Sequence, residues 1–405
     1  GCVGAEEAFH KVEGRYIQLV TNLPKSAAIE SYVVAFDQAV PLWVRYWNRD
    51  LASVNGWRLT GYLMAEKADF LQHGLVPKSL ADFANGYQVG NKLWVVNQPS
   101  EYYTLHLLLH EGVHGLSQRL FGGSGPPWYM EGTAEFLATH RLGEAGLQVG
   151  IVPQSKETSP YWGRIGLIQE RREEGKIPTI ETIMRYGDTA HREVEPYAWS
   201  WAASLLMEMY PEYRERFRDA ARRGRDASPQ FTREFYQSLR QEWSAVSTRW
   251  QLLCNDLEYG IDLERNRVSL DPPQALSTRE PVSMVVKADQ GWQAAPVKVA
   301  AGALIRIEAT GRFQLENDEA WVSQADGVTI TYYRGIPLGR LIACVVPEAP
   351  AAGPFLPKLE IFSVGATAEL KAPHAGRLFL KINDSPAVLA DNRGHLDLHL
   401  TLVGR

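Results

Sequence analysis

The stretch His110-Glu111-Gly112-Val113-His114 brings together residue types and a spacing that can hold and use a metal ion. On an α-helix, residues four apart lie on one face, one turn above each other, so both imidazoles can point at a single ion. Glu111 then stands beside the ion without ligating it, as suits a general base that takes a proton from metal-activated water. Zinc fits such a site because it lowers the pKa of its water toward neutrality. The expected chemistry is therefore hydrolysis, with zinc on His110 and His114 and with Glu111 as catalytic base. Leu105, Leu107, Leu108, Leu109, Val113 and Leu116 surround the motif and predict a helix buried on most sides.

Such a helix needs a start and a scaffold. Ser100 suits its N-cap, with Glu101 in the first turn. Upstream, residues 16–21 (YIQLVT) and 92–96 (KLWVV) read as strands, and 26–47 as a helix broken or kinked at Pro41. From Trp128 to about Leu263 the pattern is helical, notably over 197–210, 212–222 and 231–257. Residues 264–281 contain Pro272-Pro273, lack periodicity and read as a linker. Beyond it the period changes to two: Ile305, Ile307 and Ala309 alternate with polar neighbours, as do Leu396, Leu398, Leu400 and Leu402. That alternation, cut by Gly, Pro and Asp-Asn turns, predicts a separate antiparallel β-sandwich. His395 and His399 share the outer face of one strand and read as solvated. The expected plan is α+β. Residues 1–100 form an N-terminal subdomain with the edge strand, 101–265 the helical zinc-binding part, and 281–405 the sandwich.

The motif does not stand alone. Metzincins would need His at position 120 and Gly at 117, and Leu120 and Ser117 exclude that class. HEGVH followed by Trp128-Tyr129-Met130-Glu131-Gly132-Thr133-Ala134-Glu135-Phe136 resembles instead the peptidase MA-like gluzincins, the thermolysin and aminopeptidase-N group. The resemblance implies that Glu131 is the third zinc ligand, although Met130 stands where an Asn often precedes it. It implies that Glu135, one turn on, orients a zinc histidine. It also implies a donor for the developing oxyanion, for which Tyr197 stands at the family's kind of distance and His191 is the alternative. In related enzymes an edge strand pairs with the substrate backbone, a role expected here of residues 92–96. The G-x-M-E-N segment that grips a substrate's α-amine in aminopeptidases is missing; Met64 in YLMAEK does not match. An endopeptidase acting on peptides or proteins is therefore expected ahead of an aminopeptidase.

Residues 281–405 resemble the PA-IL-like lectin fold through GWQAAPVKVAAGALIRIEATGRF, PLGRLIACV and GRLFLKINDSPAVLADNRGHLDL. The resemblance implies a calcium cage from Asp384, Asp391 and Asn392 with the Val388 carbonyl, and a further carbonyl near Leu315. A polar loop whose side chains cap their own turns is the plainer alternative. Glycans are the implied partners of such a module. A non-catalytic glycan-binding protein with a relic peptidase fold is the rival reading, and retention of Glu111 speaks against it.

The net charge of −5 and pI near 6.1 argue against a nucleic-acid partner, which would require a basic face. The run Arg218, Arg222, Arg223 and Arg225 reads as a solvated helix end. No apolar stretch is long enough to cross a bilayer. Cys2, close to the start, has the position of a lipid-modified cysteine, so an exported protein is expected, periplasmic, extracellular or lipid-anchored at the cell surface. Cys254 and Cys344 lie in apolar surroundings and could be a disulfide or two buried thiols.

Overall fold

Five strands form the scaffold behind the HEGVH helix: β1 (His10–Glu13), β2 (Ile17–Thr21), β3 (Leu59–Met64), β4 (Gly86–Val89) and β5 (Lys92–Val96). Their order is β1-β2-β3-β5-β4, with β2, β3 and β5 parallel and β1 and β4 antiparallel at the two edges. The strand expected at the edge, residues 92–96, is thus interior. Leu93, Trp94 and Val95 are all buried, as a strand covered on both faces requires. A tight Gly90-Asn91 turn, with Gly90 at φ 58°, folds β4 back as the outermost strand. The computed structural model describes residues 9–80, 82–187, 193–276, 280–316, 321–348 and 351–404. Cys2 and His191 lie outside them.

Helix α1 (Ala27–Tyr46) runs through Pro41 as one element, so of the break or kink expected there the break is not found. Ala39, Val40, Trp43 and Val44 are buried on either side of the proline, and that burial offsets the lost backbone hydrogen bond. After a short α2 (Lys67–Gln72), helix α3 (Glu101–Phe121) carries the motif. Two glycines of HEGVHG set how closely α3 lies on its neighbours. A Cβ on Gly112 would come 2.5 Å from the Phe36 ring of α1, and one on Gly115 would come 2.9 Å from Leu59 of β3. Helix α4 (Pro127–Ala138) follows, and after it the hairpin β6 (His140–Gly143) and β7 (Gly146–Val149) interrupts the stretch expected to be helical. Helices Val194–Met209, Pro211–Ala220 and Pro229–Ser238 complete this first unit, made of Gly1–Arg164 and Ile183–Ser238.

The second unit comprises Ile165–Thr182 and Leu239–Arg405. Two sheets, antiparallel apart from one short parallel edge strand, face each other across a core that includes Val297, Leu341, Ala343, Val345, Leu378 and Leu380 from one and Ile305, Ile307, Leu396, Leu398 and Leu400 from the other. The helix expected over 231–257 is in fact two, Pro229–Ser238 and Trp243–Asp256, and the chain changes unit between them at Leu239. Helix Trp243–Asp256 belongs to the sandwich unit, so the boundary expected near residue 265 falls at 238. Leu252 packs with Val268, Trp292, Ile342, Cys344, Val346 and Phe379 on the outer face of the first sheet. That sheet is buried on both faces, which is why strand Leu341–Pro347 lacks alternation. The expected linker contributes Val268 to this cluster and the short strand Gln274–Ala275, which pairs in parallel with Val297 and Lys298. Cys254 and Cys344 are both buried free thiols.

Among the described residues no helix is long and apolar enough to cross a membrane. Arginines of the basic run meet acids of their own unit: Arg218 bonds Glu208, Arg222 pairs with Asp219, and Arg223 with Glu234.

Candidate metal centre

Ser100 caps α3 by accepting a hydrogen bond from the Tyr103 amide at 3.0 Å, and Gly122 ends the helix at φ 75°. The chain then turns through Gly125, also at a positive φ, and starts α4 on Pro127 at its first helical position. This short connection brings α4 alongside α3, so that Glu131 faces the two histidines. His110 Nε2 lies 3.1 Å from Glu131 Oε2 and 3.1 Å from His114 Nε2, and His114 Nε2 lies 3.5 Å from the same Glu131 oxygen. Donors held by one tetrahedral zinc at its usual bond lengths stand about 3.3–3.4 Å from one another. The three observed separations bracket that edge. Two imidazole nitrogens and a carboxylate oxygen, His110 and Glu131 buried and His114 nearly so, fit one such ion.

The electrostatics agree. Burial alone would raise the Glu131 carboxyl, but contacts with His110 and His114 outweigh it and hold it down to about 2. His110 is pushed well above its ordinary value by Glu131 and Glu135 against the opposing effect of burial. Glu111 is buried beside the trio, and its carboxyl is raised chiefly by that burial, with the two histidines acting in the other direction. It packs against the backbone of the edge strand: a Cβ on Gly86 would come 2.5 Å from Glu111 Oε1.

Glu135 lies behind His110, with Oε1 3.3 Å from His110 Nδ1. Three partners that the sequence did not suggest surround it. His106 Nε2 stands 3.3 Å from Oε2, Trp162 Nε1 donates to Oε2 at 3.3 Å, and Arg164 reaches both carboxylate oxygens at 3.3 Å. His106, His110 and Glu135 also cluster as metal-ligating types. The guanidinium already supplies the positive charge that Glu135 faces, so we place no second ion there. His106 was open to detection, since it sits one turn before His110 in an H-x-x-x-H-E-x-x-H run. Gly86, Trp162 and Arg164 carry no local signal.

Tyr197, near the start of helix Val194–Met209, stacks edge-on to His110 with ring centroids 5.9 Å apart. Burial and then the charges of Glu131, Glu111 and Glu135 push its hydroxyl far above the ordinary value, so it stays a proton donor.

In the second unit, Asp384 and Asn392 meet: Asn392 Nδ2 donates to Asp384 Oδ2 at 2.8 Å and to the Ala288 carbonyl at 3.2 Å. The Asn392 Oδ1 atom is buried without a partner. Asp391 is half-buried nearby, and the Val388 carbonyl accepts from its amide at 3.4 Å while the Val388 side chain is exposed. Leu315 ends strand Leu304–Leu315, where it pairs with Trp321. As oriented, Asn392 offers hydrogens rather than an oxygen to the cage expected here. His395 and His399 are exposed on the outer sheet face, with His399 bonded to Ser283.

No protein-family model matches this chain, and no curated protein does. Among solved structures, it is similar to one described as the N-terminal domain of EclA, a PllA-like lectin. That likeness has 19% identity and a TM-score of 0.24, and covers 30% of this chain and 98% of the other. A likeness of that extent carries no argument about this chain.

Proposed function

We propose that this chain is a zinc-dependent peptidase of gluzincin type, cutting within peptide or protein chains, in an exported protein. The observation that supports it most is the convergence of His110, His114 and Glu131 at tetrahedral donor spacing with Glu111 buried beside them. A zinc ion on those three residues would supply Lewis acidity and an acidified water. Glu111, raised by burial, takes the proton of the attacking water and passes it to the leaving amine. The Tyr197 hydroxyl is the donor suited to the developing oxyanion. The edge strand β4 lies against Glu111 and presents backbone groups on its outer side, which an extended peptide can pair with.

The test is metal analysis of the purified protein together with a casein cleavage assay on wild type and Glu111→Gln. We expect about one zinc per chain in both proteins and a loss of about 10²–10⁴-fold in cleavage by the variant. A wild type without zinc, or a variant as active as wild type, overturns the reading. Zinc binding without cleavage favours the non-catalytic rival, and release of single N-terminal residues favours an aminopeptidase.

For the sandwich we propose a calcium site at Asp384 and Asn392 on the sequence resemblance; it requires the Asn392 amide to turn so that Oδ1, buried without a partner, takes the place of Nδ2 beside Asp384. Its glycan-binding role rests on the sequence resemblance. Calcium should raise the melting temperature of wild type but not of Asp384→Ala; equal behaviour overturns the site.

A further inference from the structure

We propose that Arg164 is a positioning residue of the metal centre: its guanidinium fixes Glu135 against Nδ1 of His110 and so sets how tightly the site holds zinc. The inference rests on the zinc reading above and goes beyond it, since no part of the motif points to residue 164.

The geometry is specific. Arg164 is buried, with only 5% of its surface exposed, and Nε and Nη2 reach the two oxygens of Glu135 at 3.3 Å each. The fork is held from behind, because Nη1 donates to the Trp162 carbonyl at 2.9 Å and Nη2 to the Tyr103 hydroxyl at 3.4 Å. Trp162, fully buried, adds its Nε1 donor to Oε2 of the same carboxylate. Rotation of Glu135 away from His110 would break the three hydrogen bonds it accepts from Arg164 and Trp162, while Arg164 itself stays held by Trp162 and Tyr103. The guanidinium carbon also stands 5.9 Å from the centre of the Tyr197 ring, so one cation borders both the histidine support and the candidate oxyanion donor.

The backbone is distorted to deliver these two side chains. Tyr161, an aromatic residue two-thirds exposed, adopts φ 68°, and Gly163 adopts φ 62°. A left-handed conformation at a bulky residue is strained and persists only where the surroundings over-determine it. Here the two turns flank Trp162 and aim it and Arg164 at one carboxylate.

Charge also accounts for a cation at this place. Glu111, Glu131 and Glu135 are three carboxylates buried together, and a divalent ion plus one guanidinium balances them. A cation that acted by charge alone would, however, repel zinc, so its removal would tighten binding. Positioning predicts the opposite. Loss of outer support for a ligating histidine typically weakens metal binding about ten- to a hundredfold.

Competition between the full-length protein and a chromophoric chelator for zinc separates the cases, using wild type, Arg164→Met, Arg164→Lys and Trp162→Phe. We expect Arg164→Met to bind zinc at least tenfold more weakly. Arg164→Lys should fall between it and wild type, because an ammonium keeps the charge but not the planar fork. The rise in melting temperature on adding zinc should shrink in the same order. Trp162→Phe, which deletes one donor and keeps a smaller aromatic ring in its place, should weaken zinc binding measurably even where Arg164→Met does not fold. Unchanged or tighter binding in the Arg164 variants, or a drop in melting temperature equal with and without zinc, overturns the proposal. Absence of zinc binding by wild type overturns the zinc reading itself and this inference with it.

Discussion

The Nε2 atoms of His110 and His114 face each other at 3.1 Å, with one oxygen of Glu131 in contact with both. Two imidazole nitrogens so placed can share only one proton between them, and the carboxylate is an acceptor. A divalent ion satisfies all three at once. His114→Ala and Glu131→Gln should therefore each reduce bound zinc to well below about one equivalent, read by elemental analysis after dialysis against metal-free buffer. His106→Ala leaves the trio intact and should retain zinc. Full zinc in Glu131→Gln would remove this carboxylate from the ligand set.

Glu111 is held where it is by a missing side chain. Because a Cβ on Gly86 would meet Glu111 Oε1 at 2.5 Å, Gly86→Ala must push the base or the edge strand aside. Displacement of a catalytic group by about 1 Å can cost about 10²-fold in rate. The expected outcome is strongly reduced cleavage with unchanged zinc content. A variant that cleaves as wild type does would place the working position of Glu111 elsewhere.

Helical spacing made His110, Glu111 and His114 legible in the sequence, because one helix fixes them relative to one another. Glu131 and Glu135 were expected only through the resemblance carried by WYMEGTAEF, and spacing alone did not assign them. Gly86 and Arg164 reach the site only through tertiary folding, and no periodicity marks them. Buried character misled the search for the edge strand. KLWVV has the composition of a good strand because it is covered on both faces, whereas the true edge, GYQV, is four residues long and only partly buried. The split of residues 231–257 was invisible for a related reason. Its apolar spacing continues through Leu239, although the residues on either side serve different cores.

The same α3–α4 motif has a packing requirement that can be tested without any assay of chemistry. Gly132 lies between Glu131 and the rest of α4, where a Cβ would come 2.5 Å from the Ser200 carbonyl and 2.5 Å from Ser204 Oγ. The carbonyl belongs to a helical backbone and cannot swing away. Gly132→Ala gains helix propensity but must separate two helices, a strain of about 1–3 kcal/mol. Chemical denaturation should show lower stability. A variant more stable than wild type would mean that the helices part at little cost.

The second unit should have its own pH dependence, arising from Asp256 and its contact with Lys381. Lys381 Nζ lies 2.5 Å from Asp256 Oδ2 with both side chains almost fully buried, 5.1 Å from the Trp292 ring, and Arg334 stands 3.5 Å from the other oxygen. Burial alone would raise the Asp256 carboxyl; Lys381 and then Arg334 outweigh it and hold it below its ordinary 3.8. As pH falls, the unfolded chain takes up this proton before the folded one does. The stabilisation is therefore complete above about pH 4 and is lost as pH drops through the folded value. Lys381→Met removes the nearest countercharge of buried Asp256 and leaves Arg334 at 3.5 Å, so it should cost about 3 kcal/mol at neutral pH. The double variant Asp256→Asn/Lys381→Met removes both charges and should recover most of that loss, while flattening the acid limb of the stability curve. A double variant as unstable as the single one would show that Lys381 matters for its packing on Trp292 rather than for its charge.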